Sequence, residues 1–227
     1  MSGEPGTLSV IVPALNEAAQ IGACLEALQP LRAAGHELIV VDGGSHDATA
    51  DIARAAADRV LAAPRGRAAQ MNAGARLARG AALLFLHADT RLPPRADVLV
   101  LEALARTAWG RFDVSIDSPR ALLSLVAAMM NLRSRLTGIA TGDQAIFVRR
   151  ALFDAQGGYA PIPLMEDIEL SRRLRRLGPP ACLRARARSS ARRWESRGVL
   201  RTILLMWRLR LAFWLGADPA RLAERYR

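Results

Sequence analysis

Short apolar runs set the pattern of the N-terminal half of the chain. They are rich in leucine and β-branched residues, end at turn-like residues, and span 8–12, 37–41, 59–62 and 82–86. A helix-compatible stretch follows each run. Strands buried on both faces give continuous apolar runs, and β-α-β connections are right-handed. The alternation therefore predicts an α/β fold with a mostly parallel sheet between layers of helices.

Beyond Asp89 the alternation is less regular, although single elements still stand out. Residues 111–116 and 144–149 have the pattern of strands, and residues 119–136 and 165–177 that of helices. We find no repeat and no low-complexity linker before about residue 196. We therefore predict one α/β domain over residues 1–195 and a helical extension of the same domain over residues 196–227.

Polar side chains follow the predicted strands of the first half. In chain order they are Pro13, Asn16 and Glu17, then Asp42, then Arg65 and Arg67, then His87 and Asp89. Each alone is typical of a helix cap or a solvated loop. Because ligands of open α/β sheets bind outside the carboxyl ends of the strands, their convergence predicts a binding site at this edge.

Composition restricts the partners of the chain. All 32 basic residues are arginine; residues 172–227 hold 16 of them against three acids, whereas residues 1–171 hold 16 against 18. This asymmetry indicates an anionic partner, which could be phospholipid, pyrophosphate or nucleic acid. Nucleic acid is disfavoured because aromatic residues make up 5% of the chain and no recognised motif interleaves them with arginine. The only cysteines, Cys24 and Cys182, form no zinc or disulfide pattern.

Several motifs in order resemble those of glycosyltransferase family 2, which has the GT-A fold. They are SVIVPALNE (9–17), VVDGGSHD (40–47), NAG (72–74), LFLHAD (84–89), GDQ (142–144) and MEDI (165–168). The likeness extends from about residue 8 to residue 194. The short length, the His-Ala-Asp variant and the Arg192-Arg193-Trp194 segment resemble a compact bacterial branch of that family, associated with radical-SAM and selenium proteins and with arsenosugar biosynthesis.

The resemblance implies a nucleotide-sugar site, and uridine is the commonest nucleoside of the donors in this family. Pro13, Asn16, Glu17 and Asp42 would line the nucleoside pocket, Arg67 would face the diphosphate, and Asp143 would border the donor sugar and the acceptor. Arg192 and Arg193 would add charge near the phosphates, or form a solvated strand edge. Asp143 is equally typical of a turn, and Arg67 of an exposed helix start.

The metal-binding DxD motif of the family corresponds to His87-Ala88-Asp89. The resemblance implies that Asp89 bridges Mn²⁺ or Mg²⁺ to the diphosphate, since hard cations prefer carboxylate oxygen. His87 departs from the motif. It replaces a ribose-contacting Asp, donates a hydrogen bond behind the metal, or is an ordinary histidine at a strand end.

The family places its general base at the second acid of Glu166-Asp167. The resemblance implies that Asp167 deprotonates the acceptor hydroxyl in an inverting displacement, with Glu166 positioning it. Acids in the first turn of a helix are also favoured by the helix dipole, whatever their function.

Residues 199–215 are too short and too interrupted by arginine to span a membrane, which takes roughly 20 apolar residues. On a helix, one stripe would hold Leu200, Ile203, Leu204, Trp207, Leu211 and Trp214. Such a helix either docks on the domain or lies in a membrane interface. Because residues 1–7 lack the pattern of a signal peptide, we expect a cytoplasmic protein, free or bound peripherally to the inner face of the membrane.

Two other functions fit the same fold. One is a sugar-nucleotide nucleotidyltransferase, which would usually carry a glycine-rich loop after the first strand, where this chain has Ala14-Leu-Asn-Glu17. The other is a non-catalytic module that binds nucleotide or lipid. The acceptor implied for a transferase is a hydroxyl group on a lipid-linked or small molecule, and we expect no nucleic acid partner.

Overall fold

A computed structural model describes residues 6–226 of the chain, except for the side chain of Arg193. The strands of this range are β1 (Leu8–Ala14), β2 (Glu37–Asp42), β3 (Arg59–Ala62), β4 (Ala82–Phe85), β5 (Thr90–Arg91), β6 (Trp109–Asp117), β7 (Phe147–Arg149) and β8 (Ala181–Ser190). The helices are α1 (Ala18–Ala33), α2 (Thr49–Ala56), α3 (Arg67–Leu77), α4 (Ala96–Arg106), α5 (Ala121–Thr137), α6 (Arg150–Ala155), α7 (Glu166–Arg175), α8 (Arg192–Arg197), α9 (Val199–Trp214) and α10 (Pro219–Tyr226).

The strands form a mixed sheet in the order β3-β2-β1-β4-β7-β6-β8-β5. The first four strands in this order are parallel to one another, as are β6 and β8, whereas β7 runs antiparallel to both its neighbours. The register places Ala14 beside Asp42, so the ends of β1 and β2 meet at one edge. The predicted α/β class with a mostly parallel sheet is confirmed.

Helices cover both faces of the sheet, which explains the unbroken apolar runs of the central strands. On one face, Leu25 and Leu28 of α1 and Val100 of α4 pack against β1 and β4. On the other, Met71 of α3 and Leu170 of α7 pack against the opposite side of the same strands. Alternate residues of each strand enter opposite cores, so both faces must be apolar.

The structure differs from the predicted elements near Gly142 and at β8, and it also contains β5 and α6, which were not predicted. The strand predicted at 144–149 is divided into a 3₁₀ turn, Gly142–Gln144, and the shorter β7. The long strand β8 was not predicted, because its sequence ACLRARARSS alternates arginine with small residues. Arg184, Arg186 and Arg188 are exposed on one side of it.

Helix α9 packs on the domain through the face opposite its predicted stripe. Val199, Thr202 and Leu209 are buried, and Leu209 joins a cluster with Leu164 and Ile168 at the start of α7. Of the stripe, Ile203 is half-buried, while the other five side chains are exposed. Among the helices of residues 6–226, none combines the length and apolar content that a membrane span requires.

Candidate active site

A cavity of about 1100 Å³ opens at the carboxyl ends of β1 and β4. Its walls come from the loops after these strands, the starts of α3 and α7, the turn Gly142–Gln144, and one side each of α5 and α9. Most of the predicted site residues line it, namely Pro13, Glu17, Arg67, His87, Asp89, Asp143, Glu166 and Asp167. The strand ends therefore meet in space as their order in the sequence suggested.

Two predicted residues, Asn16 and Asp42, lie outside this lining and tie neighbouring loops together. Asn16 has a left-handed φ of 53°, and its Oδ1 accepts the backbone N–H of His46 at 2.9 Å. Asp42 accepts the N–H groups of Gly44 and Ser45 at 3.1 and 3.0 Å and the hydroxyl of Ser45. Their contact with a nucleoside stays a prediction.

Glu17 joins the first loop to the far end of the chain. Its Oε2 lies 2.8 Å from Nη2 of Arg192, at the start of α8. The hydrogen bond from this carboxylate raises the pKa of Arg192, a residue that also lines the cavity. The side chain of Arg193, predicted to act with it, lies outside the described part of the chain.

Glu166 and Asp167 begin α7 after Met165, whose left-handed φ of 68° turns the chain sharply into the helix. Asp167 Oδ2 accepts the backbone N–H of Gly142 at 2.9 Å, and Oδ1 accepts that of Ile168 at 2.7 Å. Burial raises the pKa of Asp167, and these two donors oppose the shift without cancelling it. Burial also raises the pKa of Glu166, followed by the charge of Asp167. The pair thus combines fixed geometry with increased basicity.

His87 lies beneath the turn that carries Asp143. Its Nδ1 is 3.4 Å from Asp143 Oδ1. A Cβ added at Gly142 would lie 2.5 Å from Cε1 and Nε2 of His87. The imidazole therefore supports the Gly142–Gln144 turn through a contact that only glycine permits.

Asp89 meets the requirements of a shared metal site. It is half-buried, lines the cavity, and its Oδ1 accepts a long hydrogen bond of 3.4 Å from the Thr90 hydroxyl. No three His, Cys, Asp or Glu side chains within residues 6–226 are grouped closely enough to enclose a metal. Mg²⁺ commonly takes one or two carboxylates and completes its shell with water and substrate phosphates. Asp89 fits that arrangement rather than a preformed metal cage.

Several arginines bring positive charge to the cavity wall, among them Arg67 at the start of α3 and Arg133 of α5. Burial lowers the pKa of Arg67, but the nearby acids, Glu166 first, outweigh it and leave the pKa raised. Burial lowers the pKa of Arg133, and the charge of Asp167 opposes the shift. The Nε and Nη2 atoms of Arg133 are buried and have no hydrogen-bond partner among the described residues. These two donors are therefore available to a ligand or to water.

Sequence reasoning missed Arg133, Gln70 and the apolar side of the cavity. On α5, Arg133 lies seven, four and three positions after Val126, Met129 and Met130, so it shares one helix face with them. A single arginine on an apolar helix face was therefore the signal that could have identified it. Gln70 Nε2 donates to the carbonyl groups of Ala14 and Val41 at 2.8 Å each, which fixes the end of β1 beside β2. No short motif marks such a residue.

Comparison with known proteins places the chain in a family. The model of the family described as "Glycosyl transferase family 2" matches residues 9–152. The chain belongs to glycosyltransferase family 2. A PGL/p-HBAD biosynthesis glycosyltransferase from Mycobacterium bovis is 34% identical in an alignment 168 residues long that covers 66% of this chain and 62% of that protein. The family 2 chain thus spans less than two thirds of the length of this relative.

Solved structures share the fold of this family 2 chain at low sequence identity. The mannosyltransferase PcManGT from Pyrobaculum calidifontis, solved with GDP-Man and Mn²⁺, superposes with a TM-score of 0.67 at 21% identity, covering 99% of this chain and 71% of that one. Glucosyl-3-phosphoglycerate synthase from Mycobacterium tuberculosis, solved with Mn²⁺, UDP and phosphoglyceric acid, gives 0.64 at 20% identity, covering 94% and 80%. The predicted GT-A fold is confirmed.

Proposed function

We propose that this family 2 chain transfers a sugar from a nucleotide-sugar donor, with UDP-sugars foremost, to an acceptor hydroxyl with inversion of configuration. The observation that carries the proposal is the Asp167 carboxylate, whose pKa is raised by burial and which is held by two backbone N–H groups on the wall of the cavity. A base of this kind requires both placement and basicity. Family membership and the nucleotide complexes of similar structures support the same reading.

The donor is assigned to the side of the cavity that holds Asp89 and Arg67. Arg67 offers a guanidinium suited to phosphate oxygens, and the acids around it keep it protonated. Asp89 would hold the divalent cation, Mn²⁺ or Mg²⁺. When bound there, the cation would supply Lewis-acid charge that stabilises the diphosphate leaving group. Pro13, Glu17, His87 and Asp143 complete the proposed donor subsite.

The proposed reaction is a single displacement. Asp167 accepts the proton of the acceptor hydroxyl, and the hydroxyl oxygen bonds to the anomeric carbon of the donor. The bond from that carbon to the diphosphate oxygen breaks, and its electron pair leaves with the nucleoside diphosphate. Attack opposite the leaving group inverts the anomeric centre, so no covalent enzyme intermediate is formed.

Asp167→Asn tests the base. Asn keeps the size of the side chain but accepts no proton, so donor affinity should persist while turnover falls by about 10²–10⁴-fold. The measurement is release of nucleoside diphosphate from a panel of UDP- and GDP-sugars with Mn²⁺, beside the donor dissociation constant. With pyrophosphate added, sugar 1-phosphate and nucleoside triphosphate as the products would instead indicate a nucleotidyltransferase, and donor binding without any product would indicate a non-catalytic module.

Glu169→Gln is the matched control for this variant. Glu169 also lies in the first turn of α7, but it pairs with Arg173 at 2.6 Å and does not line the cavity. If the acids serve only the helix dipole, both variants should lose a little stability and no turnover, an effect of about 0.3–1 kcal/mol. Unchanged turnover in a folded Asp167→Asn protein would refute the assignment.

We also propose that the chain contacts a membrane peripherally through α9, because the stripe predicted on this helix faces away from the domain.

A further inference from the structure

Large apolar side chains are exposed mainly on two helices of this protein. Thirteen such side chains are exposed within residues 6–226. Five of them lie on α5, five lie on α9, and one is Leu215, directly after α9. On α5 they are 40–77% exposed and are Leu122, Leu125, Met129, Leu132 and Leu136. On α9 and the residue after it they are 57–70% exposed and are Leu200, Leu204, Trp207, Leu211, Trp214 and Leu215. We call these eleven residues the apolar face.

The spacing places each set on one side of its helix. On α5 the residues recur at intervals of three or four, and the same holds on α9 from Leu200 to Trp214. The opposite sides of both helices are packed, through Leu123 and Ala127 on α5 and through Leu209 on α9. Val126 of α5 and Ile203 of α9 pack against the same buried cluster, which includes Leu123 and Val199. The apolar face is therefore formed by neighbouring helices that are already docked.

The reaction cavity opens within this face. Leu122, Leu125 and Met129 of α5 and Trp207 of α9 belong to the apolar face and also line the cavity that contains Asp167. Contiguous exposed apolar surface of this extent marks an interaction site rather than ordinary surface.

The charge around the apolar face favours an anionic partner. Neither α5 nor α9 contains an acidic residue, and the exposed Arg201 and Arg208 directly follow Leu200 and Trp207 of the face. At the other end of α9, Trp214 shares a shallow hollow of about 320 Å³ with Arg172, Arg175 and Arg176 of the α7 segment. A second copy of this chain would bring arginine against arginine, whereas anionic phospholipid supplies both an apolar interior and compensating charge.

We infer that α5 and α9 together form a bilayer-binding surface, and that the cavity mouth faces the lipid. Resting on the proposed function, the inference extends to the substrate: the acceptor hydroxyl is carried by an amphiphile that enters from the membrane, its apolar part along α5 and α9 and its hydroxyl toward Asp167. Helix α9 alone would not create this route, because one wall of the cavity mouth belongs to α5.

Co-flotation of the whole chain with vesicles tests the surface. We expect binding to vesicles of equal phosphatidylcholine and phosphatidylglycerol, and weaker binding to phosphatidylcholine alone. Leu132→Gln with Leu136→Gln on α5, and Leu204→Gln with Leu211→Gln on α9, each alter the face outside the cavity lining. Each pair should weaken partitioning by about a hundredfold, given the usual worth of burying a leucine.

The control is Leu77→Gln with Leu177→Gln, the two exposed leucines that lie outside the apolar face. This pair should bind vesicles as the wild type does. The inference is overturned if the wild type does not co-float, if the α5 pair binds normally, or if the control loses as much as the α5 and α9 pairs. It is also overturned if the wild type is a dimer in solution that the α5 and α9 pairs dissociate. Circular dichroism of every variant verifies folding.

The fluorescence of Trp207 is a native probe of the cavity mouth. It lies both on the apolar face and on the cavity wall, so phospholipids brominated in their chains should quench it. Quenching should persist in Trp214→Phe, because Trp207 remains, and should fall further when Trp207→Phe is added to that variant. Loss of quenching in Trp214→Phe alone would place the mouth away from the lipid. Neither experiment needs turnover. A chain that binds vesicles but releases no nucleoside diphosphate contradicts the proposed function and leaves the surface standing.

Discussion

As the proposed general base, Asp167 is subject to two opposing effects. Two backbone N–H groups fix both of its oxygens, and such donors lower a carboxylate pKa, which weakens the base. Burial acts in the other direction and is the larger effect, so the pKa stays above its ordinary value. Asp143 adds to the rise, while Arg67 opposes it. The basicity of Asp167 is therefore set by residues of three separate segments.

This balance predicts the pH dependence of turnover. The base acts when deprotonated, so kcat/KM should rise with pH through the raised pKa of Asp167, above the usual aspartate range near about 4. Asp143→Asn removes a negative neighbour and should move this acid limb to lower pH; Arg67→Gln removes a positive one and should move it to higher pH. Profiles of nucleoside diphosphate release measure both shifts. If the acid limb of the profile stays at the same pH in both variants, a group other than Asp167 controls it.

Arg133 is a cavity-wall residue whose buried charge is expected to cost stability. Its Nε and Nη2 are buried without partners in the described structure, and each such unsatisfied group costs about 1–3 kcal/mol. We expect Arg133→Met to raise Tm, by about 2–4 °C for each kcal/mol recovered, and to lower turnover. Calorimetry and the donor assay measure the two effects.

Arg135→Met, two positions away on α5, is the control for Arg133→Met. Arg135 Nη2 donates to Asp113 at 2.6 Å, so its loss should lower Tm. A fall in Tm for Arg133→Met as well would mean that its guanidinium is satisfied in the folded protein.

At the scale of elements, sequence pattern identified what depends on burial. β1 and β2 are buried on both faces, so their apolar runs were visible without any structure. β8 was missed because arginine alternates along it with residues that are mostly small, so its sequence lacks an apolar run. The strand predicted at 144–149 begins too early, because Gln144 belongs to a turn that contacts His87 and Asp167, which are distant in sequence. The boundary between residues 195 and 196 stays a prediction; α8 spans it.

The Gly142–Gln144 turn gives a prediction at this scale. A methyl group at Gly142 meets the His87 ring at 2.5 Å, so Gly142→Ala should push the turn outward and lengthen its hydrogen bond to Asp167. We expect turnover to fall by about 10²-fold, the usual effect of a displacement near 1 Å. The acid limb should also move to higher pH, because a donor that lowers the pKa of Asp167 is weakened.

Gly22→Ala is the matched control for this turn. Its added Cβ would lie 3.5 Å from Ile52 Cγ2, which is an ordinary contact between α1 and α2. Turnover and pH profile should match the wild type. If Gly142→Ala behaves in the same way, the turn does not position the base.

Across the whole molecule, charged groups and exposed apolar groups lie in different places. Acids and arginines meet at the carboxyl ends of the strands, whereas exposed apolar residues concentrate on α5 and α9 around the same mouth. The strand-end chemistry was visible in the sequence because each group follows an apolar run. The surface of α5 was not, because a helix that is apolar on several sides does not show which side the domain covers.

Ligand-linked stability provides a prediction for the whole molecule. Asp89 offers the cation one carboxylate, and the described residues hold no complete metal cage, so Mn²⁺ alone should raise Tm little. UDP with Mn²⁺ should raise Tm by more than the sum of the separate shifts, because the diphosphate completes the metal shell. At a hundredfold excess over the dissociation constant the stabilisation is about 2.7 kcal/mol, which corresponds to roughly 5–10 °C for a domain of this size.

Asp89→Asn should remove the synergy and leave the shift by UDP alone, whereas Asp51→Asn, on the exposed side of α2, should keep both. A full shift with Mn²⁺ alone, or synergy that survives in Asp89→Asn, would place the cation on other residues.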